Sequence, residues 1–95
     1  MHVISRKRLN EFVARHPDAA PALDRWYRLL KSGTFRSFVE RRRQFSSADQ
    51  VGRLTVFNVS GNRIRLIATI HYNRQRDYIR AVLTHQEYDE GRWKE

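Results

Sequence analysis

The sequence predicts an α+β domain in which a short strand and a helical hairpin precede a three-stranded antiparallel meander. Apolar residues recur at helical spacing through the first third of the chain. From Leu54 onward the period shortens to two, with β-branched residues in excess. Between the two apolar runs of the second half stands Ser60-Gly61-Asn62, a tight-turn signal. Runs of helices followed by runs of strands favour segregated layers, with one face of the sheet packed on the helices and the other free. The 95 residues suit one compact domain, residues 1–95, with a modest core.

In chain order, Val3 and Ile4 mark a first strand within Met1–Ser5, and Ser5 is placed to cap the helix after it. Leu9, Phe12, Val13 and His16 share a helical face. Pro17 ends that helix, because the residue before proline avoids the α region. Asp18 offers a cap for a second helix, with Pro21 tolerated in its first turn. Leu23, Trp26, Tyr27 and Leu30 form its core stripe, Lys31 suits the last turn, and Gly33 the stop. A short third helix is expected over residues 35–44, where Phe35, Phe38 and Phe45 bracket a run of arginines. Residues 46–52 read as a loop. Leu54–Val59 and Arg63–Tyr72 read as strands, Asn73–Asp77 as a polar turn and Tyr78–Thr84 as the last strand. The tail, residues 85–95, has room for one helical turn. Within Arg63–Tyr72, alternation puts Ile64, Leu66, Ala68, Ile70 and Tyr72 on one face and Arg63, Arg65, Ile67, Thr69 and His71 on the other.

Charge is the strongest compositional signal. Nineteen Lys and Arg face ten Asp and Glu, a formal net charge of +9. Sixteen of the nineteen are arginine, whose planar fork grips phosphate in two places where lysine offers a point charge. Such a balance favours polyanionic partners. There is no cysteine, which removes disulfides and thiolate metal sites. No apolar run approaches membrane-spanning length, and Arg6-Lys7-Arg8 follow the first five residues with no apolar leader. A cytoplasmic protein is the simplest expectation.

His2, His16, His71 and His85 lack the close spacing of a metal-binding motif, and no glycine-rich phosphate loop is present; neither metal nor organic cofactor is expected. What stands out is a basic strand face beside a polar C-terminal cluster. Arg65 lies on the polar face of its strand, Arg80 on the next strand, and Thr84, His85, Glu87, Tyr88 and Asp89 follow. Metal-free RNA cleavage needs a base for the 2′-hydroxyl, an acid for the leaving 5′-oxygen and a cation for the phosphate. Arg, His and Tyr can fill these roles, and the 2′-hydroxyl requirement selects RNA over DNA. By composition alone Arg65 and Arg80 read first as solvated strand residues, His85 as a loop cap and Tyr88 as a packing residue. Trp93 is open to packing on the domain or to stacking on a base.

The segments VFNVSGNRIRLIATIHY and YIRAVLTHQEYDEGRWK resemble the central hairpin and the C-terminal signature of the HigB family of type II toxins. MHVISRKRLNEFVARHPDA and FRSFVERRRQFSSADQVG resemble its opening strand and helix and its middle segment. Asn58, Gly61, Asn62, Arg65, Thr84-His85 and Tyr88-Asp89 carry the resemblance most specifically. The family is similar to RelE-type mRNA interferases. The resemblance therefore implies a compact RelE-like fold, ribosome-associated mRNA cleavage that inhibits translation, and a HigA-like helix-turn-helix antitoxin. By position it implies Arg65, Arg80, His85 and Tyr88 as catalytic residues. Arg63, Arg92, Lys94 and Asn58 are the candidate RNA contacts. Where the family usually carries an aromatic residue before the strand arginine, this chain has Ile64. A non-catalytic RNA- or ribosome-binding module is the alternative that the same charge allows.

If phosphate contacts drive binding, the logarithm of RNA or ribosome affinity falls linearly with that of salt concentration. For single strands the slope is about −0.7 for each phosphate neutralised. Titration at several salt concentrations measures it, and a flat line would remove the phosphate-driven reading.

Overall fold

The computed structural model describes residues 2–4, 6–33, 48–60, 63–91 and 93. Strand β1 (His2–Ile4) leads into helix α1 (Arg6–Arg15), and a 3-10 turn (Pro17–Ala19) into helix α2 (Ala20–Ser32). Strands β2 (Asp49–Val51), β3 (Leu54–Val59), β4 (Ile64–His71) and β5 (Arg76–Thr84) follow, and helix α3 (His85–Asp89) comes directly after β5. The third helix expected over residues 35–44 lies outside the described residues.

The helical hairpin follows its apolar stripes. Leu9 and Phe12 of α1 and Leu23, Trp26 and Leu30 of α2 are buried. Val13 and Tyr27 pack against the same core from its margin. Proline ends α1 one residue before His16, as expected. Asp18 is not a side-chain cap. It sits inside the 3-10 turn, and α2 starts after Ala19 without a side-chain cap bond. Gly33 stands at the end of α2 in extended conformation, its N–H donating to the Leu30 carbonyl at 3.3 Å.

The five strands form one mixed sheet in the order β1-β5-β4-β3-β2. Strands β2 to β5 pair antiparallel, and β1 pairs parallel with β5 at the opposite edge. Phe57, Val59, Ile64, Leu66, Ala68, Ile79 and Val82 meet the helices in the core. Trp26 contacts Phe57 edge-on, with ring centroids 5.3 Å apart, a favoured aromatic arrangement.

Three features differ from the sequence expectation. Residues 49–51 are a strand rather than loop, joined to β3 by Gly52-Arg53 with Gly52 at φ +61°. That two-residue link suits a tight hairpin, in which glycine tolerates the positive φ. The polar turn ends at Gln75 (φ +52°), whose N–H donates to the Tyr72 carbonyl. Strand β5 therefore begins at Arg76 and includes Asp77, which is fully buried. Aspartate disfavours strands, which is why the sequence reading left it in the turn. The third difference concerns the face turned away from the helices, which is not uniformly solvated. Val56 and Ile67 are cross-strand partners there, 2% and 1% exposed. Ala81 is the partner of Ile67 on its other side, so the three form a short apolar strip.

Pairing of β4 with β5 is interrupted by a bulge. Ile67 pairs with Ala81 but Ala68 with Ile79, leaving Arg80 as the extra residue. Ile79 and Val82, three apart in sequence, consequently both reach the helical face.

Leu66 lies at the middle of the central strand with no exposed surface. Leu66→Ala should cost roughly 2–5 kcal/mol of stability, as for other buried leucines, measured by denaturant unfolding.

Candidate active site

The site is built where β4 begins and β5 ends. Register sets Arg65 opposite Leu83 on one side and Asn58 on the other, and Ile64 opposite Thr84. Thr84 is both the last residue of β5 and the N-cap of α3. Its hydroxyl accepts from the Glu87 N–H at 3.2 Å, and Glu87 Oε1 accepts from the Thr84 N–H at 3.0 Å. This reciprocal capping box fixes the helix at the strand end. The His85 N–H donates to the Arg63 carbonyl at 2.9 Å, tying the first residue of α3 to the start of β4.

Three of the expected catalytic residues meet here. Arg65 Nη2 lies 3.3 Å from His85 Nδ1, and the Arg65 guanidinium carbon is 5.2 Å from the centre of the Tyr88 ring. The latter distance is within cation–π reach. Arg65 is only 9% exposed, so it is not the solvated strand residue that simple alternation allows. The fourth, Arg80, is elsewhere: its Nε donates to Thr69 Oγ1 at 3.0 Å. Thr69 is four residues along β4 from Arg65, roughly 13 Å at the rise of a strand.

Of the candidate RNA contacts, Arg63 is exposed beside the start of α3, and Asn58 is half-buried on the strand next to Arg65. Arg92 and Lys94 lie outside the described residues. Trp93 packs on the domain. Its ring stacks on Tyr88 with centroids 4.8 Å apart, and its Nε1–H donates to the Tyr88 carbonyl at 2.9 Å.

One participant is named in the polar C-terminal cluster but is given no role from the sequence. Asp89 Oδ2 is 3.2 Å from His85 Nε2, at the i,i+4 spacing of a helix. The signal was present in the His-x-x-x-Asp spacing, and only a helix starting at His85 gives it meaning. Among the described residues, no group of three or more His, Asp or Glu side chains is placed to hold a metal ion.

The Glu87 carboxyl is held below its ordinary value of 4.5, chiefly by the Thr84 N–H it accepts. Desolvation opposes this, while the Thr84 hydroxyl and the positive charges of Arg15 and His16 reinforce it. Arg15 is the last residue of α1 and His16 follows it, so the end of that helix also acts on α3 electrostatically.

The fold and site thus define a small, arginine-rich α+β protein whose Arg–His–Tyr cluster combines a cation with groups able to transfer protons. A family model described as HigB_toxin, the RelE-like toxic component of a toxin–antitoxin system, matches residues 19–91. The chain is also similar to the mRNA interferase toxin HigB of Escherichia coli K12. Identity is 34% over 92 residues, covering 94% of this chain and 88% of that protein. Identity and coverage are the same for mRNA interferase HigB of Shigella flexneri. For mRNA interferase HigB of Escherichia coli O6:H1 identity is 33%, over 94% and 89% of the two chains. The chain belongs to the HigB family and is the toxin component of a toxin–antitoxin system.

Glu87 makes α3 acid-sensitive. Because its folded pKa is lowered, its contribution to stability is present above the ordinary value of 4.5 and is lost as pH falls through the lower folded value. Wild type and Glu87→Gln should therefore differ most in melting temperature at neutral pH and converge on acidification.

Proposed function

We propose that this toxin is an mRNA endoribonuclease that acts without a metal and on the ribosome, halting translation. Cleavage of mRNA is what its HigB relatives are named for. The observation that carries the reading is the meeting of Arg65, His85 and Tyr88 at the junction of β5 and α3. The RelE-like arrangement expected of residues 1–95 agrees with helices on one face of a mixed sheet, with the cluster on the other.

In the proposed reaction a base removes the proton of a 2′-hydroxyl, and O2′ bonds to the adjacent phosphorus. The P–O5′ bond breaks, and O5′ takes a proton from an acid. The products are a 2′,3′-cyclic phosphate and a 5′-hydroxyl end. Arg65 stabilises the charge gathered on the phosphate, while His85 and Tyr88 are the proton-transferring pair. Arg80, well along the strand, extends the cationic surface toward the neighbouring RNA backbone. Arg63 and Asn58 flank the cluster as RNA contacts, with Arg92 and Lys94 as further ones. Regulation falls to a HigA-like antitoxin, whose acidic surface would be steered to the basic face of the toxin, and toxin and target meet in the cytoplasm. No helix of the described residues is long and apolar enough to cross a membrane.

Purified toxin, ribosomes and mRNA incubated with EDTA test the reading directly. Wild type should cleave. Arg65→Ala should lose roughly 10²-fold or more in rate, as expected when one charge-stabilising donor is removed. Arg65→Lys, which keeps the charge and loses the fork, should fall between them, with melting curves measured in parallel. Ribosome binding without cleavage by wild type would return the reading to a non-catalytic module.

A further inference from the structure

The hydrogen-bonding pattern around His85 specifies its proton. Arginine carries donors only and does not ionise in proteins. Its 3.3 Å approach to Nδ1 therefore makes that nitrogen an acceptor with a lone pair. A neutral imidazole has one donor and one acceptor nitrogen. The proton is then on Nε2, from which it points to Asp89 Oδ2 at 3.2 Å. Both nitrogens are thus engaged, one by a residue meant for phosphate and the other by a carboxylate on the same helix face. A histidine in this state has no free lone pair to receive a proton from RNA.

Resting on the mRNA cleavage reading above, we propose that Asp89 is a positioning residue that holds the His85 proton on Nε2. RNA phosphate, by drawing Arg65 away from Nδ1, uncovers that nitrogen as the general base. The 2′-hydroxyl proton passes to Nδ1 as O2′ bonds to phosphorus. Asp89 then faces an imidazolium whose orientation is already set. Tyr88, the other proton-bearing side chain of the cluster, gives its hydroxyl proton to O5′ as the P–O5′ bond breaks; the imidazolium then loses, and the phenolate regains, a proton through solvent. Substrate binding and exposure of the base become one event, because the same guanidinium serves both. Free toxin keeps its base covered.

Long-range ¹H–¹⁵N NMR of His85, combined with ribosome-dependent cleavage kinetics, tests this. In the free wild-type toxin the neutral ring should show the Nε2–H tautomer. Adding an RNA oligonucleotide that is 2′-deoxy at the cleavage position should shift the Nδ1 resonance and leave the proton on Nε2. With that oligonucleotide bound and Arg65 drawn away, Asp89→Ala should give a tautomer mixture, and on ribosomes it should lose about tenfold in kcat with little change in KM, part of the roughly 10²-fold or more supplied by general acid–base catalysis. Asp89→Asn, whose carbonyl still accepts from Nε2–H, should restore the tautomer and most of the rate. An Nδ1–H tautomer in wild type, an Asp89→Ala protein with unchanged tautomer in the oligonucleotide complex or unchanged kcat, or equal loss in Asp89→Ala and Asp89→Asn would each overturn the proposal. Failure of wild type to cleave mRNA would instead strike the functional reading, while the tautomer measurements would still decide the part played by Asp89.

Discussion

Everything at the candidate site depends on the register between β4 and β5. Because Ile64 pairs with Thr84 and Arg65 with Leu83, the strand arginine lies beside the point where β5 becomes α3. No residue separates strand from helix. The position of His85 is therefore set by backbone pairing rather than by a loop. The capping box on Thr84 and the bond from the His85 N–H to Arg63 fix the direction in which the helix leaves. A slip of one residue would exchange the two faces of β5, sending both the core side chains and the site to the wrong layer.

The energetic character of the cluster follows from its uneven burial. Arg65 is almost covered, whereas His85 and Asp89 are more than half exposed. A buried guanidinium is tolerable only with partners, and here His85 and the Tyr88 ring are among them. The exposed His85–Asp89 contact contributes little to stability as an isolated pair. Its value lies in orientation, within a set of contacts whose members constrain one another. Trp93 extends that set by stacking on Tyr88 and bonding to its carbonyl, which commits its indole to the domain.

Much of this was legible in the residues. The stripes of α1 and α2, the proline stop and the turn to period two at Leu54 each reflect one local rule and reappear in the structure. Alternation alone places Arg65 on the polar strand face; the grouping of Arg65 with His85 and Tyr88 comes from the family resemblance, because the register that joins them is not written in the residues. Other features depend on tertiary context. Residues 49–51 offer one apolar side chain, Val51, and become a strand only because β3 provides partners. Asp77 resembles a turn residue until the parallel neighbour Val3 and the antiparallel neighbour Ile70 enclose it. The separation of Arg80 from Arg65 is a matter of register, and two arginines on adjacent strands carry no mark of how far apart pairing will hold them. Asp89 shows its relation to His85 only once residues 85–89 are known to be helical.

The bulge at Arg80 divides β5 into two stretches whose inward positions fall out of step in the numbering. Asp77 and Ile79 are buried before it, and Val82 after it. For anyone recombining toxins of this kind, the extra residue marks a seam. An exchange of C-terminal segments made downstream of Arg80 carries the α3 cluster across in phase with the recipient sheet. A cut upstream also transfers the phase change itself, so a donor without the bulge would present its histidine to the opposite side of the sheet. The portable unit is thus shorter than the strand that bears it.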